Sequence, residues 1–478
     1  MNKIKIFEKC DKKNKLIQAL IWIFPVLFLI DNILGFNGYQ FTIAGKSIRI
    51  ILFCISVFVL FLYSLAVMKK DGISLFKTKN SKTSIWKILR PFDYCVLLFM
   101  FGNALWATVI PMVVRGEMQF SLKDFSTLLV LVLYFPIAFL VRTGRFQLKK
   151  LDKMIYILSL ILAVWHCVMY VGEVINPGFY ESYYDFIDII SFGTAVRSDV
   201  VYGFGIVRII QITSVFLLLG TFMAVKYLVK GKWWHIISLV VFSFAICVTY
   251  TKSIWFGYII GLFLYLIPSF FVKIENKFQW RSIAALGIAL AIIVALNFTV
   301  FNNTVFQRAF NLARSEQSIE EMQQELEEMA ASGKDTSELS NKIKDALGTI
   351  WSNSLRASQN AALLKKWSES KVLGFGYGAY TEDCIRNEAA PYMYESTLPA
   401  LIMKLGFVGC FIWVAFILSA TVFAIKVFWK NDKNKLFLWL GIACSYGLAV
   451  QTNPLLFTFA GISMLLYLLL SPQRKLED

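Results

Sequence analysis

Residues 280–300 read WRSIAALGIALAIIVALNFTV, with Arg281 as the only charge and no proline to interrupt the run. At 1.5 Å per residue, a helix of this length matches the roughly 30 Å hydrocarbon core of a bilayer. Comparable runs occur near 16–34, 50–68, 92–114, 125–141, 154–175, 206–229, 233–250, 254–272, 397–428, 434–452 and 454–470. Hydrophobic residues make up 58% of the 478 and charged residues 17%, against roughly 45–50% and about 25% in soluble domains. The expected fold class is all-α: a polytopic transmembrane helical bundle of about twelve spans. The expected division is membrane helices over 1–300, a large extracytoplasmic loop over 301–395, and three more spans over 396–478.

The formal charge of +17 is topological rather than a sign of nucleic-acid binding. Cations gather in alternate connections: Lys69, Lys70, Lys77, Lys79, Lys82, Lys87 and Arg90; Arg142, Arg145, Lys149, Lys150 and Lys153; Lys226, Lys230 and Lys232; Lys273, Lys277 and Arg281; Lys426, Lys430, Lys433 and Lys435. Such bias faces the cytoplasm, so both termini are expected there, with 176–205 and 301–395 outside. Met1–Lys15 is basic and polar and leads into a full-length span, which is not a cleavable signal pattern. Most of the eight cysteines fall in apolar spans and Cys384 is alone in the long loop, so no disulfide framework is expected.

The loop at 176–205 is acidic and aromatic, from Tyr180 and Glu181 through Tyr183, Tyr184 and Asp185 to Asp188 and Asp199. It reads either as an interfacial tyrosine belt or as a sugar-stacking surface. Within 301–395, the stretch Ser318–Leu347 has helical periodicity broken at Ser332-Gly333-Lys334-Asp335, which predicts a helical hairpin.

The chain has two histidines, His166 within the fifth span and His235 beside Trp233 and Trp234. Neither lies in the long loop, so a Ser-His or His-metal centre is not expected there. No Walker-type loop is present. Neither ATP nor a metal cofactor is expected.

Five places carry chemistry. Arg208 opens the sixth span, either as a snorkelling residue or as a costly intramembrane charge kept for a partner or substrate. Thr251 and Lys252 form the turn between the seventh and eighth spans and leave the same choice. Arg356 lies on a predicted helix reaching about Ser370, where a guanidinium fork suits phosphate oxygens. Gly374-Phe375-Gly376-Tyr377-Gly378 permits a tight turn with close backbone approach. Glu395, after Tyr394 and before an apolar run, is either an interfacial cap or a general base.

The order and spacing of these elements resemble the O-antigen polymerase and O-antigen ligase superfamily of membrane glycosyltransferases. Gly374 follows Arg356 by 18 residues, and Gly406 of Leu405-Gly406-Phe407-Val408-Gly409 follows Glu395 by 11. Arg208 opening a middle span and the Thr251-Lys252-Ser253 turn fit the same pattern, with lysine standing where the family has arginine. Ligases of the family carry His at the position of Glu395, so a polymerase is favoured here.

The resemblance implies a GT-C-like bundle in the bacterial cytoplasmic membrane. It further implies inverting, metal-independent transfer between polyprenyl-diphosphate-linked oligosaccharides on the outer face, yielding O-antigen, capsule or exopolysaccharide. Arg208, Arg356 and Glu395 would be catalytic, and Lys252, Gly374, Gly376, Tyr377, Gly378 and Tyr394 would contact substrate. A flippase and a chain-length regulator would be partners, together with the lipid bilayer itself. The alternatives are ligase-type transfer to another acceptor, or a lipid-linked oligosaccharide transporter; no internal repeat of the transporter kind is evident.

Overall fold

In the computed structural model the described residues are 12–34, 42–43, 46–74, 83–190, 207–268, 276–306, 324, 328, 354–385, 388, 390–451 and 454–473. The hairpin expected over Ser318–Leu347, residues 191–205 of the loop 176–205, and Lys77, Lys79, Lys82 and Lys273 lie outside them, apart from the isolated positions 324 and 328.

The fold is helical. In chain order the helices are α1 (Lys12–Leu34), α2 (Ile48–Asp71), α3 (Pro91–Arg115), α4 (Ser121–Arg142), α5 (Leu148–Ile175), α6 (Phe179–Ile190) and α7 (Ile212–Val229). They continue with α8 (His235–Val248), α9 (Lys252–Leu266), α10 (Asn276–Thr299), α11 (354–369), α12 (Thr397–Asn431), α13 (Lys433–Ala449) and α14 (Phe459–Leu470). Strand structure among the described residues is limited to two pairings of two-residue segments.

A helix falls on each of the twelve apolar runs. Among the described residues, seven helices are long and apolar enough to cross a bilayer: α2, α3, α4, α5, α7, α12 and the Trp280–Thr299 part of α10. The apolar part of α1, Ile21–Leu34, and α8, α9 and α14 are shorter. Short helices end inside the bundle, and their open backbone groups need partners that lipid does not supply. Those ends build the candidate site.

Two packing devices hold the frame. Helices α9 and α13 meet through glycines: a Cβ at Gly261 would lie 2.6 Å from the Gly441 carbonyl oxygen, and one at Gly257 would lie 2.7 Å from that of Ser445. Small residues of this kind let backbones approach where lipid offers no hydrophobic drive. Helices α3 and α12 meet around Asn103, whose Oδ1 accepts from Trp413 Nε1 at 2.9 Å and from the Tyr377 hydroxyl, beside the Phe99–Phe416 stack.

At one end of the bundle, Arg142 donates to both oxygens of Asp93 and to Gln473, joining α3, α4 and the chain after α14. Arg142, Arg145, Lys149, Lys226 and Lys435, at or near helix ends, gather at this end. The candidate site occupies the other end.

Candidate functional site

Helix α11 brings Arg356 to Glu395, two residues before α12. Arg356 Nε donates to Glu395 Oε2 at 2.9 Å, with side chains 34% and 28% exposed. One turn along α11, Gln359 Oε1 accepts from the Ser396 backbone N–H at 3.4 Å. Two neighbouring residues thus dock α11 on the start of α12. An ion pair this open adds little stability, but it fixes a carboxylate and a guanidinium side by side where solvent reaches them.

Arg208 is not part of a helix. It lies in an irregular stretch over 207–211, and α7 begins only at Ile212. The stretch runs along the α8–α9 turn: Ile209 N–H donates to Val248 O at 3.1 Å, Arg208 Nε to Thr249 O at 3.0 Å, and Arg208 Nη2 to Thr251 Oγ1 at 3.2 Å. Arg208 is thus held against the α8–α9 turn by hydrogen bonds to its backbone and to Thr251. The helix-terminal carbonyls at Val248 and Thr249 have no intrahelical donor, and the arginine segment supplies donors to them. Lys252 opens α9 directly after this turn.

The Arg208 cluster and the Arg356–Glu395 pair share one support. The C-terminal carbonyls of α13 have the same need for donors. Ala449 O accepts from Ser253 Oγ at 3.3 Å, Gln451 O from Thr397 N–H at 3.1 Å, and Val450 O from the Thr397 hydroxyl. Ser253 adjoins Lys252, and Thr397 is two residues from Glu395. One helix end therefore ties together two groups far apart in sequence.

The glycine turn has a different place from the one its residue types suggest. Gly374, Gly376 and Gly378 have φ of 66°, 79° and 74° and are all buried. Helix α12 breaks at Gly406, with φ 60° and ψ −168°. The segment 371–376 supplies the hydrogen bonds that the break removes. Phe407 and Val408 N–H donate to Lys371 O and Val372 O at 2.9 and 3.1 Å, while Phe375 and Gly376 N–H donate to Met403 O and Lys404 O at 3.1 and 2.7 Å. The Trp106 indole N–H donates to Leu373 O at 2.7 Å. The close approach that these glycines permit is to the protein's own backbone: a Cβ on Gly374 would lie 2.5 Å from Gly406 N, and one on Gly378 2.5 Å from Ser121 N.

The two tyrosines expected to touch substrate are also interior. Tyr377 is fully buried and donates to Asn103 Oδ1. Tyr394 is 3% exposed and its hydroxyl accepts from Thr381 N–H at 2.8 Å. Burial pushes the Tyr394 phenol well above its ordinary range, so it stays a neutral hydroxyl.

Gly374→Ala tests this arrangement. Alanine at positive φ costs about 1–2 kcal/mol, and overpacking against backbone atoms adds about 1–3 kcal/mol. A lower unfolding midpoint in detergent is expected, whereas Gly287→Ala, on an α10 face with nothing within 4 Å, is expected to leave it unchanged. Equal midpoints for the two variants would contradict the structural role.

Sequence reasoning missed the pair beneath the turn. Lys404 Nζ donates to Asp124 Oδ2 at 2.6 Å, with side chains 3% and 2% exposed, and the same oxygen accepts from Gly378 N–H at 2.8 Å. Lys404 also lies over the rings of Phe457 and Tyr392 at 5.3 and 5.4 Å. The signal was present: a lysine inside an apolar run calls for a partner.

A polar cavity of about 420 Å³ beside α11 is lined by Arg115, Lys365, Lys366, Glu369, Tyr380 and Glu382, among others. Two larger cavities lie at the opposite end of the bundle. None of the three is lined by Arg208, Arg356 or Glu395. Among the described residues, no group of three or more His, Cys, Asp or Glu side chains is placed to hold a metal. Comparison with protein-family models, curated proteins and solved structures finds no match to the chain.

Proposed function

We propose that the chain is a polysaccharide polymerase of the cytoplasmic membrane. It would join polyprenyl-diphosphate-linked oligosaccharide units in an inverting transfer that uses neither ATP nor metal. The observation that carries the reading is the Arg356–Glu395 pair, supported from the same helix end as Arg208 and Lys252. Glu395 takes the proton of the acceptor hydroxyl, whose oxygen attacks the anomeric carbon of the donor. The bond from that carbon to the diphosphate oxygen breaks, and polyprenyl diphosphate leaves with the electron pair. Arg208, Arg356 and Lys252 balance the charge on the departing diphosphate. Among the described residues Arg356 meets Glu395 through Nε, which leaves its Nη donors to face phosphate.

The orientation belongs to the same proposal. Cation-bearing connections at the end away from Glu395 fit a cytoplasmic face, so the site faces outward, with both termini inside and about twelve spans in a GT-C-like arrangement. The glycines, Tyr377 and Tyr394 act as supports of the site. A flippase and a chain-length regulator are the partners such a reaction would have.

The test is reconstitution of the purified protein with polyprenyl-diphosphate repeat units, EDTA present and ATP absent. A ladder of polymer is expected. Transfer of preformed glycan to a separate acceptor without a ladder would make the protein a ligase. Movement of the units between leaflets with no new bond would make it a transporter.

A further inference from the structure

We propose that an anionic diacyl phospholipid binds at the end of the bundle opposite Glu395, between α1, α4, α5 and α14. An acyl chain fills an apolar cavity there, and the phosphate sits among Lys149, Lys226 and Lys435. This inference concerns a separate site and does not depend on the polymerase reading.

The apolar cavity measures about 750 Å³, within the roughly 300–1,000 Å³ typical of ligand sites. Its walls include Trp22, Leu29, Ile137, Met154 and Leu466, with Arg145 and Lys150 also lining it and no carboxylate. Arg145 holds Asp71 at 3.0 Å, outside the lining. A second cavity of about 570 Å³ adjoins the first, with Phe146, Gln147 and Tyr467 lining both.

The second cavity adds more charge. Lys149, Lys226 and Lys435 line it against a single acid, Asp152. That carboxylate is already engaged by Lys226 at 3.1 Å and by the Tyr467 hydroxyl at 3.0 Å, and Lys435 reaches Asp432 at 3.0 Å on the surface. Lys230, just past α7, has its ammonium pKa lowered by burial first and then by Lys226, Lys435 and Lys149, with Asp432 opposing. Cations crowd here beyond what the local acids neutralise.

An apolar recess beside a cationic one selects an amphiphile with a negative head. A basic pocket between helix ends, level with the bilayer interface, is where an anionic headgroup arrives from the adjacent leaflet. A free anion would leave the apolar recess without a role. A neutral lipid would leave the lysines without one.

Full-length protein in neutral detergent would be titrated with phosphatidylglycerol, phosphatidylcholine or inorganic phosphate. Retained lipid is read by mass spectrometry of the intact protein, and stability by the unfolding midpoint. Phosphatidylglycerol is expected to raise the midpoint and to be retained roughly tenfold or more over phosphatidylcholine. Lys149→Gln with Lys435→Gln, both on exposed side chains, is expected to bring that ratio near one without moving the lipid-free midpoint. Met154→Trp is expected to lower retention of phosphatidylglycerol by filling the apolar recess.

Equal retention of the two lipids by the wild type would overturn the proposal. So would an unchanged ratio in the lysine variant, or unchanged retention in Met154→Trp. Inorganic phosphate reproducing the whole midpoint shift would also overturn it, by making the recess a free-anion site.

Discussion

Glu395→Gln is expected to lower the rate of polymer formation by about 10²–10⁴-fold, the usual contribution of a positioned general base. Glutamine keeps the size of the side chain and an oxygen that can accept from Arg356 Nε, now at 2.9 Å from Glu395. Docking of α11 on α12, which also uses Gln359 and Ser396, should therefore survive, and so should expression and the unfolding midpoint. The variant loses only a site for the proton. The loss should fall on kcat, with KM little changed, since the interaction removed acts only in the transition state.

Glu395→Asp keeps the carboxylate but withdraws it by one methylene, and displacement of this order costs about 10²-fold. Arg356→Lys keeps a cation but gives up the planar fork. It is expected to raise KM for the diphosphate donor as well as to lower kcat. Polymer of wild-type amount and length from Glu395→Gln, at equal protein level, would remove Glu395 from the chemistry and with it the proposed mechanism.

The second large effect is on folding. Lys404→Met is expected to destabilise the protein by about 3–5 kcal/mol, because removing one partner of a buried pair strands the other charge. Asp124 would be left buried with the Gly378 N–H, 2.8 Å away, as its remaining hydrogen-bond donor among the described residues. The glycine segment that mends the break in α12 would loosen with it. Asp124→Asn should cost a similar amount by stranding the lysine beneath Tyr392 and Phe457.

The double variant Lys404→Met with Asp124→Asn removes both charges. It is expected to recover much of the loss, as replacement of a buried pair by neutral groups is often near neutral. Unfolding midpoints of the wild type, both single variants and the double variant form the cycle that isolates the pair. Additive losses would show that the two side chains do not act together.

The membrane-protein class and the positions of the apolar helices were legible in the sequence, because a run such as 280–300 has no soluble alternative that buries so many apolar side chains. Arg356 and Glu395 were legible as chemical types, but not as a pair: 39 residues separate them, and no local pattern sets a distance between two elements. The role of the glycine turn was the hardest to see. Glycine at positive φ permits close approach to anything, and the sequence does not name the neighbour. In the fold that neighbour is the broken backbone of α12.

The length and apolar content of its runs by themselves determined that this chain forms membrane helices, since burial in lipid depends only on which residues run consecutively. The structure alone decided that Arg208 lies in an irregular segment against the α8–α9 turn, and that the end of α13 supports both Ser253 and Thr397. Open backbone groups at helix ends must find donors within the protein, and which donors reach them is fixed by how the helices pack.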